Sequence, residues 1–312
     1  MNFGLIGVGA AVAPRHLRAI ADVGGRVVAA FDPRDSVAIL DAFGDLEVPY
    51  FTDLERFHRL LEDLSDRDAG VRYLSVCSPN YLHEEHCRLG LRVGADVICE
   101  KPVVIEPSKL DALQELEAKS ERRIWTVLQL RTDERLMALR QQIRTSAPSP
   151  RHEVVLTYVT ARGRWYDVSW KGDVEKSGGI ATNIGVHMFD LLVWLFGAPV
   201  GHAVHLHEPR RMAGALELER ARVTWLLSVE DKDLPRTMQA EGTRSFRAIE
   251  IDGTSIDFSS GFSELHTRVY ERILAGEGFG LDDARPSIDL AYRMRHASVD
   301  APRDVLHPFL RR

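Results

Sequence analysis

Short apolar runs alternate with amphipathic stretches through the first 124 residues. Phe3 to Gly7, Arg26 to Phe31, Val71 to Ser78, Asp96 to Glu100 and Ile124 to Leu130 are apolar runs of strand length. Pro14 to Asp22, Ser36 to Phe43, His83 to Val93 and Pro107 to Lys119 carry apolar residues at helical spacing. Alternation of this kind predicts βαβ units and a parallel sheet covered by helices on both faces.

The pattern then changes. Thr132 to Ser146 reads as a helix, broken by Ala147-Pro148-Ser149-Pro150. Longer alternating strands follow at Glu153 to Thr160, Val200 to His207, Arg222 to Val229 and Phe246 to Phe258. The last contains Ile251-Asp252-Gly253-Thr254, a two-residue hairpin signal. A helix from Ala181 to Phe196 lies among the strands, and helical stretches from Ser263 to Leu274 and Leu281 to Ala297 close the chain. The expectation is an α/β chain whose second half is an α+β domain with a mainly antiparallel sheet, divided as 1–124 and 125–312.

A length of 312 residues exceeds one ordinary core and fits two domains. Lys plus Arg is 40 and Asp plus Glu is 46, a net charge of −6. That balance carries no nucleic-acid footprint, but it does not forbid an anionic substrate, because local basic clusters decide that. No apolar run is long enough to span a bilayer. Met1-Asn2-Phe3-Gly4-Leu5-Ile6 enters a strand with no basic segment and no cleavage site. Cys77, Cys87 and Cys99 are odd in number and form no CxxC pair, which argues against disulfides and zinc. A cytoplasmic protein without a metal, nucleic-acid or membrane partner is expected.

Candidate chemistry gathers where strands end. Gly7-Val8-Gly9-Ala10-Ala11-Val12-Ala13 joins the first strand to the first helix. Glycines there permit a tight turn and close approach to a pyrophosphate at a helix N-terminus. A simple strand-to-helix turn uses the same residues. The usual third glycine is absent: Val12 stands at its spacing, and Ala13 would substitute for it if the loop is one residue longer. Asp32 ends the second strand 25 residues after Gly7, near the ~20-residue spacing of dinucleotide sites. It would accept hydrogen bonds from ribose hydroxyls and repel a 2′-phosphate, which favours NAD over NADP; Arg34 weakens that preference without reversing it.

Cys77-Ser78-Pro79-Asn80-Tyr81-Leu82-His83 lies at another strand end, either lining a ligand or forming a polar loop capped by Asn80. His83-Glu84-Glu85-His86 lacks a second histidine at i+4, where Cys87 stands, so zinc is discounted. Glu100-Lys101-Pro102 ends a third strand. A desolvated lysine there can take a proton from an alcohol while hydride leaves the carbon; an exposed surface lysine fits the local pattern as well. In Gly178-Gly179-Ile180-Ala181-Thr182-Asn183-Ile184-Gly185-Val186-His187-Met188-Phe189-Asp190, helical spacing puts Asn183, His187 and Asp190 on one face of an apolar helix. A satisfied core histidine is the alternative for His187.

In this order and spacing, the motifs resemble the glucose–fructose oxidoreductase / inositol dehydrogenase (Gfo/Idh/MocA) family over essentially the whole chain. The resemblance implies an N-terminal Rossmann domain with a parallel sheet and a C-terminal α+β domain with an open sheet. That sheet's exposed face would make homo-oligomer contacts, with a tetramer favoured. NAD would be the cofactor, held by Gly7, Gly9, Ala11, Val12, Asp32, Ser78, Pro79, Asn80, His83, Glu100 and Lys101. Lys101 and His187 would be the catalytic pair.

Within the family the chain is most similar to bacterial UDP-N-acetylglucosaminuronate 3-dehydrogenases of surface-polysaccharide (O-antigen) synthesis. Ala13-Pro14-Arg15-His16, Val97-Ile98-Cys99-Glu100-Lys101-Pro102, Leu128-Gln129-Leu130-Arg131, Ser169-Trp170-Lys171-Gly172-Asp173 and Gly278-Phe279-Gly280-Leu281-Asp282-Asp283-Ala284-Arg285 carry this similarity. Asn183 stands where many members have Asp, which supports the subgroup.

The similarity implies oxidation of a UDP-sugar C3 hydroxyl, with Lys101 as base and His187 holding the same oxygen. Gln129, Arg131, Tyr166, Lys171, Thr182 and Asn183 would contact substrate, Arg131 or Lys171 meeting its carboxylate or diphosphate. Enzymes of this kind feed an aminotransferase, and some recycle NADH with 2-oxoglutarate. A dehydrogenase of a free hexose or cyclitol and a non-catalytic NAD-binding regulator are the alternatives; a regulator needs neither Lys101 nor His187.

Overall fold

A computed structural model describes residues 1–36, 38–41, 48–66, 69–146, 150–257, 264–300 and 306–310. Phe43, Ala147-Pro148-Ser149, Phe258 and Ser263, which the sequence reading used as element ends and a breaker, lie outside the described residues. The chain forms two compact units, Met1–Thr132 with Ser263–Arg285 and Asp133–Phe262 with Pro286–Arg312. The chain thus returns to its first unit, a crossing that the contiguous division 1–124 and 125–312 lacks. The cause is burial: Val269, Tyr270 and Ile273 of the helix Leu265–Leu274 join Phe3, Leu17 and Ile98 in one core. Arg268 of that helix also donates to the Thr132 carbonyl at 3.3 Å.

In the first unit, β1 (Asn2–Ile6), β2 (Arg26–Phe31), β3 (Tyr50–Phe51), β4 (Tyr73–Val76), β5 (Asp96–Cys99) and β6 (Ile124–Thr126) form a sheet in the order β3-β2-β1-β4-β5-β6. Every pairing in it is parallel. Strand order reverses between β1 and β4, the place where open α/β sheets take ligands at their C-terminal ends. β3 and the helix Leu54–Asp66 were not read from the sequence. That helix buries Phe57 and Leu61 under an otherwise charged surface, and the Asp53 side chain caps it through the Arg56 N–H at 2.8 Å. β6 is shorter than read: Gln129–Thr132 is a 3₁₀ turn, closed by the Thr132 hydroxyl on the Gln129 carbonyl at 2.8 Å.

The second unit holds β7 (His152–Thr160), β8 (Pro199–Glu208), β9 (Arg211–Leu218), β10 (Ala221–Ser228), β11 (Ser245–Ile251) and β12 (Thr254–Asp257) in the order β12-β11-β7-β10-β9-β8. Among the described residues β7 and β10 pair in parallel and the other pairings are antiparallel. Asp252 and Gly253 have φ of 50° and 81°, the two positive values that a tight hairpin turn needs. β9 was unread. Gly214 interrupts its pattern, yet a Cβ there would collide with the Ala203 carbonyl of β8.

The expected helix from Ala181 to Phe196 is two helices, Gly179–Asn183 and Gly185–Phe196. Val174–Asn183 and Gly185–Phe196 meet at 41° across Ile184. Gly185 lies close on β10, where a Cβ would come 2.6 Å from Leu227 Cδ1. Phe189 then meets Trp225 edge to face at 5.5 Å in the core.

Candidate active site

Gly7 leaves β1 with φ +87°, and a Cβ on it would lie 2.7 Å from Cys77 C and Ser78 N. Only glycine fits where β1 and β4 part. Gly9 and Ala11 are exposed, so the loop backbone is open. The helix Ala13–Asp22 begins behind it with no side-chain cap and with Pro14 in its first turn. Its N-terminal N–H groups and dipole suit an anion. Ala13 is buried, while Val12 is half-buried against the core.

Asp32, 8 % exposed, accepts from the Gly9 N–H at 2.8 Å with Oδ2 and from the Arg34 N–H at 2.9 Å with Oδ1. A carboxylate has about four acceptor positions, so capacity for ribose hydroxyls remains. The cradle that a Cβ would fill, the open helix N-terminus and this carboxylate together fit a dinucleotide.

Beyond β4, Pro79 precedes a 3₁₀ turn, Asn80–Leu82, so Asn80 opens that turn and is not the cap of a helix. The Ser78 hydroxyl and His86 Nδ1 share a hydrogen bond of 2.8 Å, and burial draws the His86 pKa down to about 4. His83 is 1 % exposed, with Nδ1 2.7 Å from the Pro102 carbonyl and Nε2 2.7 Å from the Ser78 carbonyl. Burial holds its pKa below the usual value against those two bonds. His83 therefore links the loop after β4 to the loop after β5 through both ring nitrogens.

Lys101 is half-buried and joined to Pro102 by a cis peptide bond. Its backbone N–H donates to Glu100 Oε2 at 3.2 Å. The Glu100 carboxylate turns inward: Oε1 accepts from His16 Nε2 and from His266 Nε2, each at 3.0 Å. Burial pushes this carboxyl up, but the bonds from His16 and His266 outweigh it and leave the pKa well below the usual range. His16 Nδ1 meets the Tyr270 hydroxyl at 2.7 Å, which meets Ser75 Oγ at 2.7 Å. No local spacing signals this cluster, because its members lie 84 and 166 residues from Glu100.

Of the substrate candidates in the first unit, Gln129 is buried with Oε1 lacking a partner in the protein, room for an outside donor. Arg131 donates to Asp283 Oδ1 at 3.1 Å and to the Asp283 carbonyl at 2.9 Å. Its charge is thus paired with Asp283 within the first unit.

In the second unit, Asn183 and His187 are the only partly exposed positions between Ile180 and Leu192. The break at Ile184 puts them on separate helices, and Asp190 is buried, so the single polar face expected from helical spacing is not formed. Tyr166 is buried and hydrogen-bonds Asn183; burial raises its pKa. Thr182 Oγ1 is buried without a partner in the protein. Lys171 Nζ stands 5.6 Å over the Trp165 ring and 5.4 Å over the Trp170 ring. Arg162 lies 5.7 Å over Trp165, which is 46 % exposed. Burial, then the Arg162 charge, lowers the Lys171 pKa. Two cations sharing one exposed indole favour an anion beside them.

A model of an oxidoreductase family's NAD-binding Rossmann fold matches residues 1–127, and a model of its C-terminal alpha/beta domain matches 152–234. The fold superposes on the WlbA (WbpB) dehydrogenase of Thermus thermophilus, solved with NAD and alpha-ketoglutarate, with a TM-score of 0.94, 48 % identity and 99 % of each chain covered. The same dehydrogenase solved with NAD and UDP-GlcNAcA gives a TM-score of 0.94 at 47 % identity, again over 99 % of each chain. Two curated relatives are more distant. D-glucoside 3-dehydrogenase of Escherichia coli (strain K12) is 30 % identical over 138 residues, 43 % of this chain and 38 % of that protein. Inositol 2-dehydrogenase of Rhizobium meliloti (strain 1021) is 26 % identical over 200 residues, 63 % of this chain and 55 % of that protein. The match thus spans about half or less of these curated relatives' length. With both domains matched and the likeness to WlbA running end to end, the chain belongs to the Gfo/Idh/MocA oxidoreductase family.

Proposed function

We propose that the protein oxidises the C3 hydroxyl of UDP-N-acetylglucosaminuronic acid to a ketone, with NAD as the hydride acceptor. The observation that carries this reading is the likeness over 99 % of the chain to a dehydrogenase solved with NAD and UDP-GlcNAcA. A free hexose or cyclitol is the competing substrate, favoured by the weaker likeness to the glucoside and inositol dehydrogenases.

When bound, NAD would supply the hydride acceptor, C4 of its nicotinamide. The backbone of Gly7, Gly9, Ala11 and Val12 and the helix behind them hold the pyrophosphate. Asp32 holds the adenosine ribose. Ser78, Pro79 and Asn80 line the cofactor, with His83 bracing them. Lys101 Nζ, in its neutral form, accepts the C3 hydroxyl proton, and His187 hydrogen-bonds the same oxygen. Lys171 and Arg162 neutralise the substrate's negative charge, while Gln129, Tyr166, Thr182 and Asn183 orient the ring.

The bound alpha-ketoglutarate in the Thermus thermophilus dehydrogenase supports a second half-reaction. In it a hydride and a proton reduce the 2-oxo acid to a 2-hydroxy acid, and NAD is regenerated. A 3-keto nucleotide sugar of this kind suits an aminotransferase, in a cytoplasmic route to a diamino-uronic acid. The working enzyme is a homo-oligomer, a tetramer by family resemblance, which light scattering of the purified protein tests.

Mass spectrometry after incubation with NAD, UDP-N-acetylglucosaminuronic acid and 2-oxoglutarate tests the function. The expected products are a sugar nucleotide lacking two hydrogens and an equal amount of 2-hydroxyglutarate. An unchanged UDP-sugar alongside turnover of a free hexose or cyclitol would instead support the competing substrate.

A further inference from the structure

The cluster around Glu100 performs no step above, yet it joins three elements of the cofactor unit at one oxygen. His16 belongs to the helix that follows the glycine loop, Glu100 directly follows β5 and precedes Lys101, and His266 belongs to the returning helix Leu265–Leu274. His16, Glu100 and His266 are all buried. Both imidazole Nε2 atoms stand 3.0 Å from Glu100 Oε1, an N–H···O separation, whereas ligands of a zinc ion surround it at about 2.0–2.2 Å. With Nε2–H directed at Glu100, His16 Nδ1 accepts from the Tyr270 hydroxyl, which in turn accepts from Ser75. His266 Nδ1 has no partner in the protein, so the bond to Glu100 is the polar role the structure gives that ring. Two donors on Oε1 fix the rotation of the carboxylate, and the fixed Oε2 takes the Lys101 N–H at 3.2 Å.

We propose that His16 and His266 are positioning residues for Lys101 and act through Glu100. A base displaced by about 1 Å loses on the order of 10²-fold in rate, so the backbone from which the lysine leaves must be held. The loop is anchored by the same helix that, on the proposed function, turns its N-terminus to the pyrophosphate, which would tie cofactor seating to base placement. This inference rests on Lys101 being the base.

The test is NAD reduction by UDP-N-acetylglucosaminuronic acid in the NAD-loaded enzyme, with and without Lys101→Met. His266→Leu removes one donor, and His266→Gln keeps an N–H near the Nε2 position. His266→Leu is expected to lower kcat by about tenfold or more, with the sugar KM and NAD occupancy nearly unchanged, and His266→Gln to recover most of that loss. In the Lys101→Met background His266→Leu should cost nothing further, because no base remains to be positioned.

An equal loss from His266→Leu in both backgrounds, while Lys101→Met itself abolishes most turnover, would overturn the proposal and leave the lysine's role intact. Wild-type turnover in Lys101→Met would overturn the lysine's role itself. If His266→Leu fails to fold or to hold NAD, Glu100→Gln takes its place with the same outcomes, since its amide nitrogen cannot accept from the Lys101 N–H. A stoichiometric metal ion in the wild-type protein, lost on His266→Gln, would also overturn the proposal.

Discussion

The Asp32 carboxylate accepts a hydrogen bond from the Gly9 N–H at 2.8 Å. One side chain thus orders the glycine loop from the end of β2, and on the proposed function its remaining lone pairs would accept from a ribose. Asp32→Ala removes both functions. A charge-assisted hydrogen bond contributes about 1.5–3 kcal/mol, so NAD affinity should fall roughly 10- to 150-fold. Titration of cofactor-free protein followed by calorimetry checks this, and tighter binding of NADP than of NAD by the wild type would refute the ribose assignment.

Gly7→Ala should be the most damaging single methyl in the cofactor unit. It imposes φ +87° on an L side chain and drives a Cβ into the Cys77–Ser78 backbone. The backbone conformation alone costs about 1–2 kcal/mol, and the overlap adds to it. A lower melting temperature together with lost NAD binding is expected. A variant that melts and binds like wild type would show that the loop has another way to turn.

The βαβ half was legible because its strands are continuous apolar runs and its glycines, Asp32 and Lys101 sit at strand ends, where ligand chemistry is local. What escaped was what depends on the fold's long-range closure. The helix Leu54–Asp66 is an exception, since Phe57 and Leu61 lie four residues apart on one buried face, a helical spacing that the sequence itself carries. β9 carries a glycine demanded by a neighbouring strand, and the break at Ile184 comes with Gly185 lying close on β10. The return of Leu265–Leu274 to the first unit, and with it the His16–Glu100–His266 cluster, joins residues too far apart in sequence for any spacing rule.

Acid should weaken both units. Burial holds His86 of the first unit and His307 of the second at pKa values of about 4, below the ordinary 6.5. Between those values the unfolded chain binds protons that the folded chain does not. The stabilisation is therefore complete above pH 6.5 and is lost as pH falls toward 4. Each histidine contributes on the order of 3 kcal/mol over that span. Denaturation midpoints should drop from pH 7 to pH 5, with a shallower drop for the first unit in His86→Gln. Midpoints that hold steady or rise toward pH 5 would refute this.

Substrate charge should be read at Lys171. Lys171→Met is expected to raise the KM for the UDP-sugar about tenfold or more while NAD binding stays unchanged, since removing one partner of a charged hydrogen bond costs about 1.5–3 kcal/mol. Wild-type affinity should also weaken with salt. Equal KM for UDP-N-acetylglucosamine, which has a neutral hydroxymethyl in place of the carboxylate, would remove the uronate from the account.

On the proposed mechanism, Lys101 takes the proton from the C3 hydroxyl. An alcohol is too weak an acid to release that proton unaided at neutral pH, and a positioned base contributes about 10²–10⁴-fold. Lys101→Met keeps the side-chain length, and the glycine loop and Asp32 should still hold NAD. The direct measurement is the single-turnover rate of NAD reduction by saturating UDP-N-acetylglucosaminuronic acid in folded, NAD-loaded Lys101→Met, beside wild type and His187→Ala. A loss of at least about 10²-fold is expected for Lys101→Met and a smaller one for His187→Ala. A near wild-type rate in Lys101→Met would contradict it and pass the proton to His187 or to a chain of waters.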